Sequence, residues 1–202
     1  MPRLIGIVLA AGWSRRMGRP KALLPCPPDG HSFVTQAVRT LRAGGVAEVV
    51  VVGRTDDLAL RNEVGQHAPA VPYLENPTPE LGQLSSLLVG ISYAESCGAD
   101  GVMVLPVDIP SVSPATVQAL REAFDRGPEP LMRAAYQGRH GHPVIFGRPV
   151  FAELHAADLS VGARAVLRRD PARVRELDVD DPGVLRDVDV PEDYRRLLAE
   201  PD

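Results

Sequence analysis

The chain has 202 residues, 45% hydrophobic and 24% charged, enough for one globular domain (1–202) with a sizeable core. Its net charge of −4 and pI near 5.7 exclude the generally basic surface that nucleic acids and anionic membranes require. Two cysteines, Cys26 and Cys97, are too few for a disulfide scaffold. They read as free thiols of a reducing compartment.

The elements alternate. The first strand is Leu4–Leu9, too short and glycine-interrupted for a signal peptide and followed by Arg15 and Arg16 where a cleavage region would stand. No run approaches the roughly 18 apolar residues of a membrane span, so the expected location is cytoplasmic, without membrane or nucleic-acid partners. Phe33, Val34, Ala37, Val38 and Leu41 then keep helical spacing and stop at Gly44-Gly45. Strands follow at Glu48–Val52 and Val71–Leu74, with a weaker helix over Asp57–Gln66 between them. Leu84, Leu87, Leu88 and Ile91 mark the next helix, and Gly101–Leu105 the next strand. Ser113-Pro114 caps a helix carrying Val117, Leu120 and Phe124. Leu131–Ala135 and Pro143–Phe146, joined through Gln137–His142, break the rhythm as a hairpin. Weak helices at Ala163–Arg169 and Pro191–Leu198 bracket a last strand, Val174–Val179. The strands read as apolar on both faces, which predicts a mostly parallel mixed sheet covered by helices above and below.

The informative segment follows the first strand. It runs Ala10-Ala11-Gly12-Trp13-Ser14-Arg15-Arg16-Met17-Gly18-Arg19-Pro20-Lys21. Small residues and glycines allow backbone N–H groups close to a ligand, and four cations in seven residues suit a polyphosphate. Lys21 is the only lysine against 21 arginines. A site that keeps a compact point charge where every other cation is a planar fork is a site where the fork will not serve. Two phosphate motifs are excluded: GxGxxG is absent, and the P-loop spacing fails because five residues separate Gly12 from Gly18 and Ala22 follows Lys21.

Leu9 through Pro25 instead resembles the nucleotidyltransferase signature LAAGxSxRMGxxKxLLP. This is the family of molybdenum-cofactor nucleotidyltransferases (MobA/MocA-like) and their sugar-phosphate and isoprenoid-precursor relatives, and the cytidylyltransferase group is the most similar branch. The resemblance implies a three-layer α/β/α sandwich, Rossmann-like and akin to glycosyltransferase-A folds. It implies nucleotide contacts from Leu9, Ala10, Ala11, Gly12 and Gly18, with the base read by backbone near Leu9 and Ala10. It also implies catalytic roles for Lys21 at the α-phosphate and Arg16 at the departing pyrophosphate.

Two acidic segments complete the pattern. The strand ending in Pro106-Val107-Asp108 places a carboxylate over the crevice bordered by the glycine-rich loop, a natural Mg²⁺ ligand beside a triphosphate. Near the C-terminus, Asp187-Val188-Asp189-Val190-Pro191-Glu192-Asp193 resembles the family's DxDTPEDL segment. Carried over, Asp189 joins Asp108 on the metal. Spacing alone leaves Asp187 open, because in an extended segment both would share one face. Asp187, Glu192 and Asp193 read as servants of the following helix N-terminus.

Gly82, Ser85 and Ser86 resemble the family's GxxxSL element beside the base and ribose, and His142 stands in a GHP element bordering the acceptor. His140 and His142 have no third His or Cys nearby, so they are not read as a metal pair. The expected reaction moves a nucleoside monophosphate from an NTP onto a phosphorylated acceptor, with Mg²⁺ as cofactor. Leu9-Ala10-Ala11-Gly12, where the guanine branch has LAGG, favours CTP; molybdopterin is the favoured acceptor, with transient delivery to a molybdoenzyme. A guanylyltransferase is the alternative within the class, and a non-catalytic nucleotide- or cofactor-binding module the alternative outside it. Release of pyrophosphate separates the last from the others.

Overall fold

The computed structural model describes residues 1–127 and 129–199. In chain order the elements are β1 (Leu4–Leu9), β2 (Pro25–Cys26), β3 (His31–Ser32), α1 (Phe33–Ala43), β4 (Glu48–Arg54), α2 (Leu58–His67), β5 (Tyr73–Asn76) and α3 (Gln83–Ser96). There follow β6 (Gly101–Pro106), α4 (Pro114–Arg126), β7 (Leu131–Tyr136), β8 (Arg139–Gly147), α5 (Phe151–His155), α6 (Arg164–Arg169), β9 (Val174–Asp178) and α7 (Pro191–Ala199). Seven strands form one sheet in the order β5-β4-β1-β6-β8-β7-β9. β1 lies parallel to both β4 and β6, and β8 is antiparallel to β6 and β7. The mixed sheet expected from the hairpin is therefore present.

Alternation along β1 builds two cores. Val8 turns to one face, where Phe33, Leu41, Leu60, Leu120 and Phe124 of α1, α2 and α4 cover the sheet. Ile5, Ile7 and Leu9 turn to the other, against Leu84, Leu87 and Ile91 of α3 and Phe151 and Leu154 of α5. This is the three-layer α/β/α arrangement. Helix starts are fixed locally: the Oγ of Ser32 accepts the Thr35 N–H, and that of Ser113 the Thr116 N–H, each such cap contributing about 1 kcal/mol.

Three expectations need correction. Val174–Val179 is not covered on both faces, because β9 is an edge strand with partly open side chains. The hairpin turn is tighter than Gln137–His142: only Gln137, at φ 50°, and Gly138, at φ 73°, turn, and β8 already begins at Arg139. The two-residue ribbon β2–β3 and the short helix α5 carry no period and were not expected. Among the described residues no helix is long and apolar enough to cross a membrane.

The connections locate the crevice. After β1 the chain moves outward to β4 and β5; after β6 it moves the other way, to β7 and β8. Successive turns therefore diverge between β1 and β6, the topological switch point where open α/β sheets bind ligands.

Candidate active site

A cleft of about 580 Å³ opens at that switch point. Its floor is Leu9, Ala10 and Ala11, and its rim is the loop from Gly12 to Lys21. The sheet holds the floor in register: Ala10 N–H donates to the Val52 carbonyl and Val107 N–H to that of Leu9. The Ala10 donor is thus already used, which moves any backbone readout of a base onto the following peptide units. The rim is shaped by Ser14 (φ 51°), whose carbonyl accepts the N–H groups of Met17 and Gly18 and whose Oγ accepts that of Lys21. Gly18 sits at φ 73°, in the left-handed region where a side chain is strained.

Lys21 projects into the cleft between two carboxylates. Its Nζ donates to Asp108 Oδ2 at 3.0 Å and to Asp189 Oδ1 at 2.7 Å. Asp189 Oδ2 also accepts from Arg16 Nη2 at 2.7 Å, while Arg16 remains largely exposed. Burial works against the Lys21 ammonium, but Asp108 and Asp189 outweigh it and its pKa is raised. Partial burial likewise disfavours ionised Asp189, yet Lys21 and Arg16 hold its carboxyl below the usual value.

Asp108 follows β6 directly, but Asp189 arrives on the segment after β9. Asp181 anchors that segment: its buried carboxylate accepts from Ser113 N–H, Thr116 Oγ1 and Gly183 N–H. Contact is close enough that a Cβ on Gly141 would stand 2.1 Å from the Val184 carbonyl oxygen. Val188 is buried, and its N–H donates to the Asp108 carbonyl, tying the two acidic segments together. The two neighbouring carboxylates are thereby set apart. Asp189 meets Lys21, whereas Asp187 is exposed on the other side of Val188. Asp193 accepts the N–H groups of Asp189 and Val190 and so closes the turn into α7.

Further expected residues sort by position. Gly82 and Ser86 line the cleft, with Gln83, at the start of α3; Gly82 lies at φ 94° and no side chain caps this helix. Ser85 does not line it, because its Oγ is turned inward onto the carbonyls of Thr78 and Gly82 and receives Asn76 Nδ2 at 2.8 Å. Asn76 also reaches Ser86 Oγ, so this buried amide, not anticipated, knots the loop before α3. His142 is off the cleft, on β8. Burial lowers its pKa against an opposing pull from Asp108, and its Nδ1 is buried without a hydrogen-bond partner. Cys26 is inert, its thiol pushed up to about 11 by burial.

Among the described residues no group of three or more His, Cys, Asp or Glu forms a metal cage. Two carboxylates converging on one cation instead fit Mg²⁺, which is held by one or two carboxylates and completed by phosphate oxygens and water.

A switch-point cleft with a cationic glycine-rich rim and a paired carboxylate is the architecture of a nucleotidyltransferase. The chain belongs to the MobA-like NTP transferase family, whose model matches residues 6–174. It is 32% identical to purine catabolism protein PucB of Bacillus subtilis and 35% identical to nicotine blue oxidoreductase of Paenarthrobacter nicotinovorans, each over 98% of both chains. A probable molybdenum cofactor guanylyltransferase of Rhodopirellula baltica is 38% identical over 66% of this chain and 61% of its own. Among solved structures, Rv0371c of Mycobacterium tuberculosis superposes with a TM-score of 0.80 at 32% identity, over 98% of both chains. A manganese complex of Rv0371c scores 0.75 at 29% identity, covering 98% of this chain and 99% of that one.

Proposed function

We propose that this chain transfers a nucleoside monophosphate, CMP from CTP, onto a phosphorylated acceptor of the molybdenum-cofactor type, releasing pyrophosphate. The observation that carries the reading is Lys21 held between Asp108 and Asp189 at the mouth of the glycine-rich loop. The preference for CTP rests on Ala11 in Leu9-Ala10-Ala11-Gly12, where the guanine branch has glycine. The relative named as a guanylyltransferase keeps GTP as the second reading. The oxidoreductase name of another relative is not adopted, since the loop lacks the GxGxxG that grips a dinucleotide.

An acceptor phosphate is already largely ionised near neutral pH, its second pKa being about 6. Its oxygen attacks the α-phosphorus in line, the bond to the β-phosphate oxygen breaks, and pyrophosphate leaves with the electron pair. No strong general base is needed, so the chain's contribution is alignment and charge neutralisation. Asp108 and Asp189 would hold Mg²⁺, which supplies electrophilic neutralisation of phosphate oxygens; manganese in a homologous structure supports a divalent ion. Lys21, released from the carboxylates, faces the α-phosphate. Exposed Arg16 meets the departing pyrophosphate, and the peptide units of Ala11, Gly12 and Gly18 line the nucleotide. Gly82 and Ser86 present the uncapped start of α3 to the ribose. His142, whose Nδ1 lacks a partner, stands near Asp108 for the acceptor.

Thermal melts with CTP, GTP, UTP and ATP, with and without Mg²⁺, test the reading on wild type and Asp108→Asn. Ligand at about 100 times its Kd stabilises by ~2.7 kcal/mol. A CTP-selective, Mg²⁺-dependent shift that disappears in Asp108→Asn is expected. A GTP-selective shift moves the assignment to the guanylyl reaction, and no shift with any nucleotide refutes it.

A further inference from the structure

Trp13 is the chain's only tryptophan, and 47% of it is exposed. All four phenylalanines, Phe33, Phe124, Phe146 and Phe151, are buried, and no tyrosine is fully exposed. An indole left open in a loop forgoes most of the burial that makes tryptophan valuable, and an open apolar face beside a cleft marks a contact surface.

This indole is also braced. The Arg54 guanidinium lies over its ring with Cζ 4.4 Å from the centroid, a cation–π contact. Arg54 ends β4 and its fork is held from three sides: Nε donates to Asp56 Oδ1 at 3.1 Å, Nη1 to the Gly12 carbonyl at 3.3 Å, and Nη2 pairs with Asp57 Oδ2 at 3.0 Å. Tyr73 Oη donates to the Arg54 carbonyl, fixing the strand end beneath it. The guanidinium side chain is 16% exposed, so it serves as the backing of a plate. One face of Trp13 is covered by a rigid cation, and the residue lines the cleft.

Position decides what lies on the plate. Arg54 belongs to β4, whereas Asp108 follows β6, two strand spacings or roughly 10 Å across the sheet. Gly82, Gln83 and Ser86 line the same cleft at the start of α3. A ligand with its reacting phosphate at Lys21 therefore extends its other end toward Trp13. In a nucleoside triphosphate that end is the base.

We infer that Trp13, backed by Arg54, is the stacking platform that holds the base of the nucleotide. The inference rests on the nucleotidyl-transfer reading and adds a residue outside the fixed letters of the glycine-rich signature. Stacking recognises a planar ring and not its hydrogen-bonding edge, so the platform strengthens binding of any base and leaves selection to backbone groups.

The test uses Trp13 as its own reporter. Wild type, Trp13→Phe and Trp13→Ala are titrated with CTP, GTP and tripolyphosphate in Mg²⁺, reading the melting temperature of all three and, in wild type, indole fluorescence corrected for nucleotide absorption. Saturable quenching in wild type by a nucleotide that also raises the melting point is expected, with tripolyphosphate raising the melting point without quenching. Trp13→Ala should bind the nucleotide roughly tenfold more weakly and Trp13→Phe close to wild type, both without change in affinity for tripolyphosphate. The unliganded melting point should barely move, because the indole is half in water. Nucleotide binding without quenching, or unchanged affinity in Trp13→Ala, overturns the platform and leaves the nucleotidyl-transfer reading standing. Quenching by tripolyphosphate, or by free pterin in place of nucleotide, also overturns it. Neither shift nor quenching with any nucleotide overturns both.

Discussion

Replacing Lys21 by methionine removes the cation that Asp108 and Asp189 share and keeps the length of its aliphatic stem. Both carboxylates lie within 3.0 Å of Nζ, so their facing oxygens are at most about 6 Å apart. At an effective dielectric of about 20 that separation corresponds to ~3 kcal/mol of repulsion. The carboxylates are 30% and 22% exposed, so water and Arg16 screen part of it. A loss of about 1–2 kcal/mol is expected, or roughly 2–8 °C in Tm for a chain of this size. Turnover should fall by ~10²–10³, the usual effect of removing one preorganised charge from a transition state. The distinguishing result lies in the metal dependence. With no ammonium between them, the two carboxylates gain more from a divalent ion, so Mn²⁺ or Mg²⁺ should raise the Tm of Lys21→Met more than that of wild type. Melting curves across a metal titration, together with pyrophosphate release, measure both. Wild-type turnover in the folded variant, or a metal response no larger than wild type's, would refute the reasoning.

Two other predictions concern the segment that delivers Asp189. Asp193 is held below the ordinary carboxylate value by the backbone N–H groups of Asp189 and Val190. Its contribution is full above the unfolded value of about 3.9 and is lost as pH falls through the lower folded value. Asp193→Asn should therefore cost about 1 kcal/mol near pH 6 and progressively less as pH falls below the unfolded value, read from urea melts across the acidic range; a constant deficit would contradict this account. Asp181→Ala strips a buried acceptor from three donors and should cost about 2–4 kcal/mol. It should also weaken metal-dependent stabilisation, because the strand of backbone leading to Asp189 loses its anchor; a change below about 0.5 kcal/mol would deny the anchoring role.

Much of this was legible in the residues. The buried centre of the sheet read cleanly, because β1, β4 and β6 are apolar on both faces and their helices carry serine and aspartate caps. The margins read poorly. β9 lies on an edge, where partial exposure replaces the expected double covering and suits its charged Arg175, Glu176 and Asp178, and the two-residue strands β2 and β3 are too short to carry any period. In the site, Lys21 was marked by being the lone lysine and Asp108 by its place at a strand end. Asp187 and Asp189 could not be separated by spacing, because Val188, pinned to the Asp108 carbonyl, orients them through a contact with a distant segment. Asn76, Arg54 and the inward turn of Ser85 were invisible for the same reason: their roles come from partners brought together only by the fold.

The staple at Asp181 bears on the order in which the protein is made. The glycine-rich rim and Asp108 leave the ribosome early, while Asp189, which completes the pair around Lys21, follows every strand of the sheet. A nascent chain can therefore pair β1 with β4 and β6 and bury much of both cores before the second carboxylate exists. Until the segment bearing it is stapled across Ser113 and Thr116, Lys21 has one acidic partner and the cleft lacks its second carboxylate. The second partner of Lys21 thus waits for the segment after β9, and a chain halted before it has a nearly finished scaffold with an unfinished centre.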